Sequence, residues 1–202
     1  MGLPQDHRVD AEPPATGALA VAQRLGSRLG SLLIGIAALA TPLLIAAVVL
    51  GVIASLLRIE AVMRFAEPVP LLGRAITQNS LIDLQWHLSA LMTMLAIPAL
   101  VLSDRHVRVD VLYERLSPRR RSVVNLGGHG LLAIPFLVLA VGPAWTFMER
   151  SRLSGEGSVD GGLADRFLVK GLLPLGLGLL ALALAIDILR RIATLLSAGR
   201  RR

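Results

Sequence analysis

The sequence predicts an all-α integral membrane protein with four transmembrane helices. The segment from Ser31 to Leu57 contains no Asp, Glu, Lys or Arg, and three similar apolar stretches follow it. A helix of about 20 such residues, rising ~1.5 Å per residue, crosses a ~30 Å hydrocarbon core. Hydrophobic residues make up 54% of the 202-residue chain, and the mean hydropathy is +0.66. Both values are typical of a polytopic membrane protein.

Charged residues mark the ends of the predicted spans. The second span lies between Asp83 and Asp104, and the fourth carries Lys170 and Asp187 near its ends, where we expect both side chains to reach water. Prolines inside the spans are compatible with membrane helices, because neighbouring groups satisfy the carbonyls that they free. The four predicted spans are about 32–57, 84–103, 123–147 and 167–189.

The domain organisation follows from these spans. Residues 1–23 are rich in Ala and Pro and predict a flexible tail, 24–196 form a single four-helix membrane domain, and 197–202 form a basic tail. The first span exceeds the ~7–15-residue apolar core of a signal peptide, so we expect it to remain as an anchor. Because the chain has no Cys, disulfides and thiolate metal sites are excluded.

The orientation follows from the distribution of Lys and Arg. Fourteen of these residues lie in the N-terminal tail, the second connection and the C-terminal tail, whereas seven lie on the opposite side. The positive-inside rule therefore predicts that both termini are cytoplasmic. The net charge of +7 is concentrated beside the apolar spans, which indicates contact with anionic lipid and not with nucleic acid.

The connections predict amphipathic helices at the membrane surface. Residues 58–66 are expected to prolong the first helix until Pro68 and Pro70 stop it. In the second connection Val109, Leu112 and Leu116 repeat at helical spacing, which predicts a short helix in the headgroup layer.

Span three has its own start signal. Ser117 followed by Pro118 predicts an N-cap and a first helical residue. In span four, small residues are expected to permit close helix approach; they are Gly171, Gly176 and Gly178.

No enzyme motif is present: the sequence contains no phosphate-binding Gly-rich loop, HExxH motif or thiol nucleophile. We therefore predict that the chain is not an enzyme and has no cofactor. One alternative is a four-helix haem electron carrier using His87 and His129, although their predicted depths match poorly. Another is a self-contained small transporter, but the span centres lack the charged residues that mark an ion pathway.

A resemblance to a known family rests on an ordered set of motifs. The segment Asp104–Arg119, which includes His106-Val107-Arg108-Val109-Asp110, resembles the signature of the small membrane subunit of tripartite ATP-independent periplasmic (TRAP) transporters. The further motifs that fit this family in order are Gln85-Trp86-His87, Trp145, Glu156-Gly157-Ser158, Gly161-Gly162-Leu163, Lys170 and Leu173-Pro174-Leu175-Gly176. The chain departs from the pattern at Asp83, where Glu is usual, and at Ala183, where relatives often carry Gln.

The resemblance implies a function and partners. It implies a small permease subunit in the bacterial inner membrane that scaffolds a large multi-span subunit and helps to dock a periplasmic substrate-binding protein. The complex would import an organic acid, driven by an ion gradient that is commonly sodium.

The resemblance also implies two sets of interface residues. His106, Arg108, Asp110 and Arg115 are expected to contact a partner or lipid on the cytoplasmic side, and Arg108→Ala is expected to lower uptake by weakening assembly. On the periplasmic side, the expected partner contacts are Trp86, Glu156 and Lys170.

Overall fold

The computed structural model describes residues 17–103 and 116–199, and within these ranges it consists of antiparallel helical rods and one β-hairpin. The elements are α1 (Gly17–Leu56), β1 (Ala61–Val69), β2 (Gly73–Thr77), α2 (Gln78–Leu102), α3 (Pro118–Gly128), a π-helical turn (His129–Ala133), α4 (Ile134–Ser154) and α5 (Phe167–Gly199). α3, the π turn and α4 follow one another without a break and form one rod.

Four helical stretches of the described residues are long and apolar enough to cross a membrane. They are Ala20–Leu56, Gln78–Leu102, Arg119–Ser154 and Phe167–Ala193. The predicted fold class, an all-α membrane protein with four spans, is confirmed.

The two ends of this arrangement differ in composition. The hairpin end holds β1, β2, the loop 155–166 and the start of α5. The basic end holds the starts of α1 and α3 and the ends of α2 and α5, together with a group of arginines at 119–121, 190 and 191.

α1 and α2 pack through complementary seven-residue repeats. Each of the following residues is less than 10% exposed: Leu81, Leu88, Leu95 and Leu102 on α2, and Leu33, Ala40, Ala47 and Ala54 on α1. A spacing of seven keeps a side-chain row facing an adjacent helix, and small residues let two helix backbones approach closely. Gln85 adds an interhelical hydrogen bond, because its Nε2 donates to the Ala47 carbonyl at 3.3 Å.

α5 belongs to two separate cores. In the first, Ala183 and Ile186 pack with residues of α1 and α2, namely Leu33, Leu95, Ala99 and Leu102. In the second, Leu177 and Leu184 pack with Leu137 and Ala144 of α4. The helices therefore lie in the order α1, α2, α5, α4, with α5 joining the α1–α2 pair to the α4 rod.

The first connection is a β-hairpin, so the predicted helical extension over 58–66 is wrong. α1 ends at Leu56, and Arg58 then adopts a left-handed φ of 53°. The strands pair antiparallel, with Ala61 opposite Thr77 and Val69 opposite Gly73. β-Branched and aromatic residues favour a strand here, and Pro68 is tolerated because a two-stranded sheet has free edges.

The start of the third rod agrees with its sequence signals. The Ser117 hydroxyl accepts a hydrogen bond from the backbone N–H of Arg120 at 3.5 Å, and Pro118 occupies the first turn, as predicted. The π turn lies just before Pro135. Since proline lacks an N–H and crowds the carbonyl four residues earlier, a locally widened helix accommodates it.

The predicted close approach at glycines holds at two of three positions. A Cβ at Gly171 would lie 3.4 Å from the sulfur of Met148, and one at Gly176 would lie 2.8 Å from that of Met94. At Gly178 a Cβ would meet no atom of this chain within 4 Å, so no described helix of the chain approaches closely there.

Candidate functional site: polar clusters at the two ends

The structure describes three of the seven predicted interface residues. His106, Arg108, Asp110 and Arg115 fall within 104–115, outside the described residues, as does most of the predicted interfacial helix. Trp86, Glu156 and Lys170 lie at the hairpin end. The Trp86 side chain is exposed on α2 (72%), whereas Glu156 and Lys170 contact each other.

Lys170 links the loop 155–166 to two helices. Its Nζ donates a hydrogen bond to Oε2 of Glu156 and lies 4.3 Å from the centre of the Phe147 ring. The hydrogen bond from Lys170 lowers the pKa of Glu156 below its ordinary value of 4.5. Lys170 was expected to extend towards water, but its side chain is largely covered (19% exposed) and satisfied within the protein.

Asp83 of α2 holds the same loop from the other side. Its Oδ2 accepts a hydrogen bond from the Leu163 backbone N–H at 3.0 Å, and its Oδ1 lies 3.7 Å from Nη2 of Arg166. Nη1 of Arg166 in turn lies 4.0 Å from Oε1 of Glu156. Gly162 is required beside this carboxylate, since a Cβ there would lie 2.1 Å from Oδ2 of Asp83.

The loop is also tied to the β-hairpin. The Leu71 N–H donates to Oδ2 of Asp165 at 3.0 Å, and the Ala164 N–H donates to the Leu71 carbonyl at 2.8 Å. The Thr77 hydroxyl donates to the Gly161 carbonyl at 2.9 Å. The β-hairpin, the loop 155–166 and the starts of α2 and α5 are therefore connected by hydrogen bonds and ion pairs. These contacts stabilise the hairpin, because an isolated pair of strands is only marginally stable in water.

Exposed cations surround this unit. Arg64 and Arg74 line a shallow pocket of about 460 Å³ together with Glu60, Phe65 and neighbouring hairpin residues. Neither arginine forms an ion pair with another residue in the part of the chain that the structure describes. The hairpin end thus presents two exposed arginines without an ion-pair partner among the described residues, beside the exposed carboxylates of Glu60 and Glu67.

At the basic end, a buried carboxylate lies between an arginine and a histidine. Asp187 is only 6% exposed, and its Oδ2 accepts a hydrogen bond from Nε of Arg191 at 2.6 Å. Nδ1 of His129, in the π turn, lies 3.6 Å from the same oxygen. The expectation that Asp187 reaches water is wrong, because packing of α5 against the π turn covers it.

Arg190 binds the ends of two other helices. Its Nη1 donates to the Leu102 carbonyl at 3.1 Å, and its Nη2 donates to the carbonyls of Ala22 and Gln23 at 3.0 Å. The Leu102 carbonyl is at the C-terminus of α2, where carbonyls lack intrahelical donors and the helix dipole favours a cation, whereas those of Ala22 and Gln23 lie near the start of α1. Arg190 therefore fastens α5 to the end of α2 and the start of α1.

The structure separates the two histidines of the haem alternative. Nδ1 of His87 contacts the Asp83 carbonyl at the hairpin end, whereas His129 contacts Asp187 at the basic end. Along α5, the 17 residues from Lys170 to Asp187 correspond to about 25 Å. One haem iron needs both axial nitrogens within about 2 Å, so these histidines do not form a shared site. The described residues also contain no group of three or more His, Asp or Glu arranged to hold a metal ion.

Sequence reasoning missed several residues that organise these clusters. The sequence identifies Asp83 only as the boundary of the second span and as a departure from the family pattern, and Arg166 and Arg190 contribute only to the count of basic residues. A usable signal was present for the packing, in the seven-residue spacing of the leucines on α2. The partners of Asp83 lie about 80 positions away, so no local pattern could identify them.

Comparison with known proteins gives one family. The family described as "Tripartite ATP-independent periplasmic transporters, DctQ component" matches residues 69–194, which is more than half of the chain. Searches of curated proteins and of solved structures gave no match.

Proposed function

The chain belongs to the DctQ component family of TRAP transporters and is a small permease subunit; from this premise we propose that it is the fixed scaffold of a transporter in the bacterial inner membrane. In this proposal it anchors a large multi-span subunit and helps to dock a periplasmic substrate-binding protein. The complex imports an organic acid, driven by an ion gradient that is commonly sodium.

The observation that carries the scaffold role is the open order α1, α2, α5, α4. α5 is covered on two faces by separate cores, whereas the outer helices keep broad apolar surfaces. Leu139 of α4 and Leu39 of α1, for example, are 74% and 71% exposed. Such faces suit lipid and the helices of a larger partner, and the charged groups described above lie towards the two ends.

The hairpin end is our proposed docking surface for the binding protein. Arg64 and Arg74 offer positive charge there without an internal partner, and the Lys170–Glu156 pair and Asp83 hold the surface rigid. Charge on the rim of an interface mainly steers association and fixes register. Acidic side chains on the binding protein would complement Arg64 and Arg74.

The first test identifies the partners. The full-length tagged chain, extracted from its native membrane in a mild detergent, should carry a large multi-span subunit that mass spectrometry identifies. Recovery of the chain alone under conditions that preserve membrane complexes would contradict the scaffold role.

Docking is tested with a double variant and a matched control. Arg64→Gln/Arg74→Gln should weaken binding of the substrate-binding protein severalfold and reduce its salt dependence. Arg24→Gln removes an exposed charge at the basic end and should leave binding unchanged. Equal binding by all three proteins would contradict docking at this surface.

The proposed orientation is testable because the chain has no Cys. Val159→Cys places a thiol at a 90% exposed position of the hairpin end, and Gln23→Cys places one at the basic end. A membrane-impermeant maleimide should label the first variant in spheroplasts and the second only after lysis. The reverse pattern would place the termini outside.

A further inference from the structure

A groove runs along the start of the third rod at the basic end. It has a volume of about 420 Å³ and is lined by Leu116, Arg119, Arg120, Val123 and Val124. These residues recur at intervals of three or four and therefore share one side of the helix. Charge is concentrated at the start of the groove, and the following turn is apolar.

The arginines of this segment are not equivalent. The Nε of Arg121 donates a hydrogen bond to the Leu116 carbonyl at 2.9 Å, so the Arg121 side chain stabilises the start of α3. Arg119 and Arg120 are exposed, and neither forms an ion pair or a side-chain hydrogen bond with another described residue. Two guanidinium groups therefore face the groove without a counter-charge from this part of the chain.

The apolar side of the groove continues into the span. Val123 and Val124 are 56% and 54% exposed, and Leu131, two turns further on, is 79% exposed. Between them lies Gly127, where a Cβ would meet no atom within 4 Å. The path from Val123 to Leu131 is about 12 Å long, which fits within one leaflet of a ~30 Å hydrocarbon core.

We propose that this groove binds one anionic phospholipid molecule. The phosphate would lie between Arg119 and Arg120, because guanidinium groups bind phosphate oxygens through paired charge-assisted hydrogen bonds. One acyl chain would follow Val124, the open space at Gly127, and Leu131. The charge on Arg119 and Arg120 selects an anionic lipid over an apolar protein helix, which would leave both cations uncompensated.

The described residues of this site are none of the interface residues predicted for 104–115, and the proposal does not depend on the scaffold or docking roles. It depends only on the membrane-spanning nature of the rod. A bound lipid there would fix the depth of the α3 start at the membrane surface.

The test uses the full-length tagged protein in a mild detergent, with phosphatidylglycerol or phosphatidylcholine added. Native mass spectrometry should show retained phosphatidylglycerol at about tenfold lower concentration than is needed for phosphatidylcholine. Arg119→Gln/Arg120→Gln should remove this preference, while Arg150→Gln, an exposed arginine at the other end of the rod, should keep it. Gly127→Leu fills the apolar path and should lower retention of both lipids.

Three results would overturn the proposal. The first is equal retention of the two lipids by the unmodified protein, and the second is an unchanged preference in the double arginine variant. The third is loss of a co-purifying protein from the double variant while phosphatidylglycerol stays bound, which would assign the groove to a protein partner. Since all the changed side chains are exposed or face open space, helical content measured by circular dichroism should stay unchanged in each variant.

Discussion

The two ends of the molecule use a carboxylate differently. At the hairpin end, the carboxylate of Asp83 binds a backbone N–H group, whereas at the basic end the buried carboxylate of Asp187 interacts with side chains. Asp83 accepts the Leu163 N–H and thereby fixes an irregular loop. Asp187 accepts from Arg191 on its own helix α5 and lies near His129, and so connects α5 with the π turn of the third rod. The difference follows from local structure: a loop has backbone donors without partners, while a helix interior has already paired its own.

The basic end also has an interaction in which the charged group is a cation. There, the guanidinium of Arg190 binds carbonyls of α1 and α2, just as a carboxylate binds an amide at the hairpin end. A cation is suited to the C-terminus of α2, where Leu102 lies, and an anion is suited to free N–H groups. The comparison predicts that substitutions in the polar cluster of the basic end weaken helix packing, while substitutions in that of the hairpin end increase the mobility of the loop 155–166.

The largest effect is expected from Asp187→Asn. This change removes the charge that pairs with Arg191 at a site that is only 6% exposed, and breaking a buried pair costs about 3 kcal/mol. The melting temperature in detergent should fall accordingly. Glu149→Gln breaks the more exposed Glu149–Arg152 pair and serves as the control, with no measurable change expected. Equal melting temperatures for the two variants would refute a structural role for Asp187.

Asp83→Ala should have a smaller and more local effect. It leaves the Leu163 N–H without its acceptor and removes a charge partner of Arg166, at a cost of about 2 kcal/mol. Hydrogen exchange and protease cleavage should speed up within 155–166 but not at the basic end. Asp160→Ala, at an exposed position of the same loop, should behave like the unmodified protein. Faster exchange throughout the helices would show that Asp83 stabilises the whole fold instead.

A pair of glycine substitutions on α1 tests the Arg190 contact. A Cβ at Gly26 would lie 1.9 Å from Nη2 of Arg190, so Gly26→Ala must displace this side chain and should destabilise by about 1 kcal/mol. Gly35→Ala meets no atom within 4 Å and should stabilise the helix slightly, by about 0.5–1 kcal/mol. Thermal unfolding of both variants gives the comparison. A gain in stability from Gly26→Ala would mean that Arg190 does not fasten the helices.

The smallest effect concerns pH at the hairpin end. Because Lys170 lowers the pKa of Glu156 in the folded state below 4.5, this pair stabilises the fold at neutral pH, and the stabilisation is lost as pH falls through the lowered pKa. Acidification from pH 6 to pH 3 should therefore destabilise the unmodified protein slightly more than Glu156→Gln. Identical pH profiles of the two melting temperatures would contradict this assignment.

The features that the sequence predicts correctly are those that depend on local composition. The four spans follow from long uncharged runs, and the N-cap at Ser117 follows from a side chain next to Pro118. Glu156 and Lys170 were identified as interface residues, and the structure shows that they bind each other; partner contact at these positions stays a prediction.

The rest depends on contacts between distant residues or on competition between local preferences. The stretch 58–66 suits either an amphipathic helix or a strand, and pairing with β2 together with support from Ala164 and Asp165 favours the strand. Asp187 lies near the end of the predicted fourth span, and this position indicated that its side chain reaches water. Its burial depends on the π turn, which brings His129 against α5.

The position of α5 between two cores has a consequence for biogenesis. α1 and α2 can associate as soon as both have entered the membrane, because their leucine and alanine rows match each other directly. The α4 rod has its main partner in α5, which follows it in the chain. The rod can therefore pack against its main partner in this chain only after α5 has been synthesised, and α5 completes both cores.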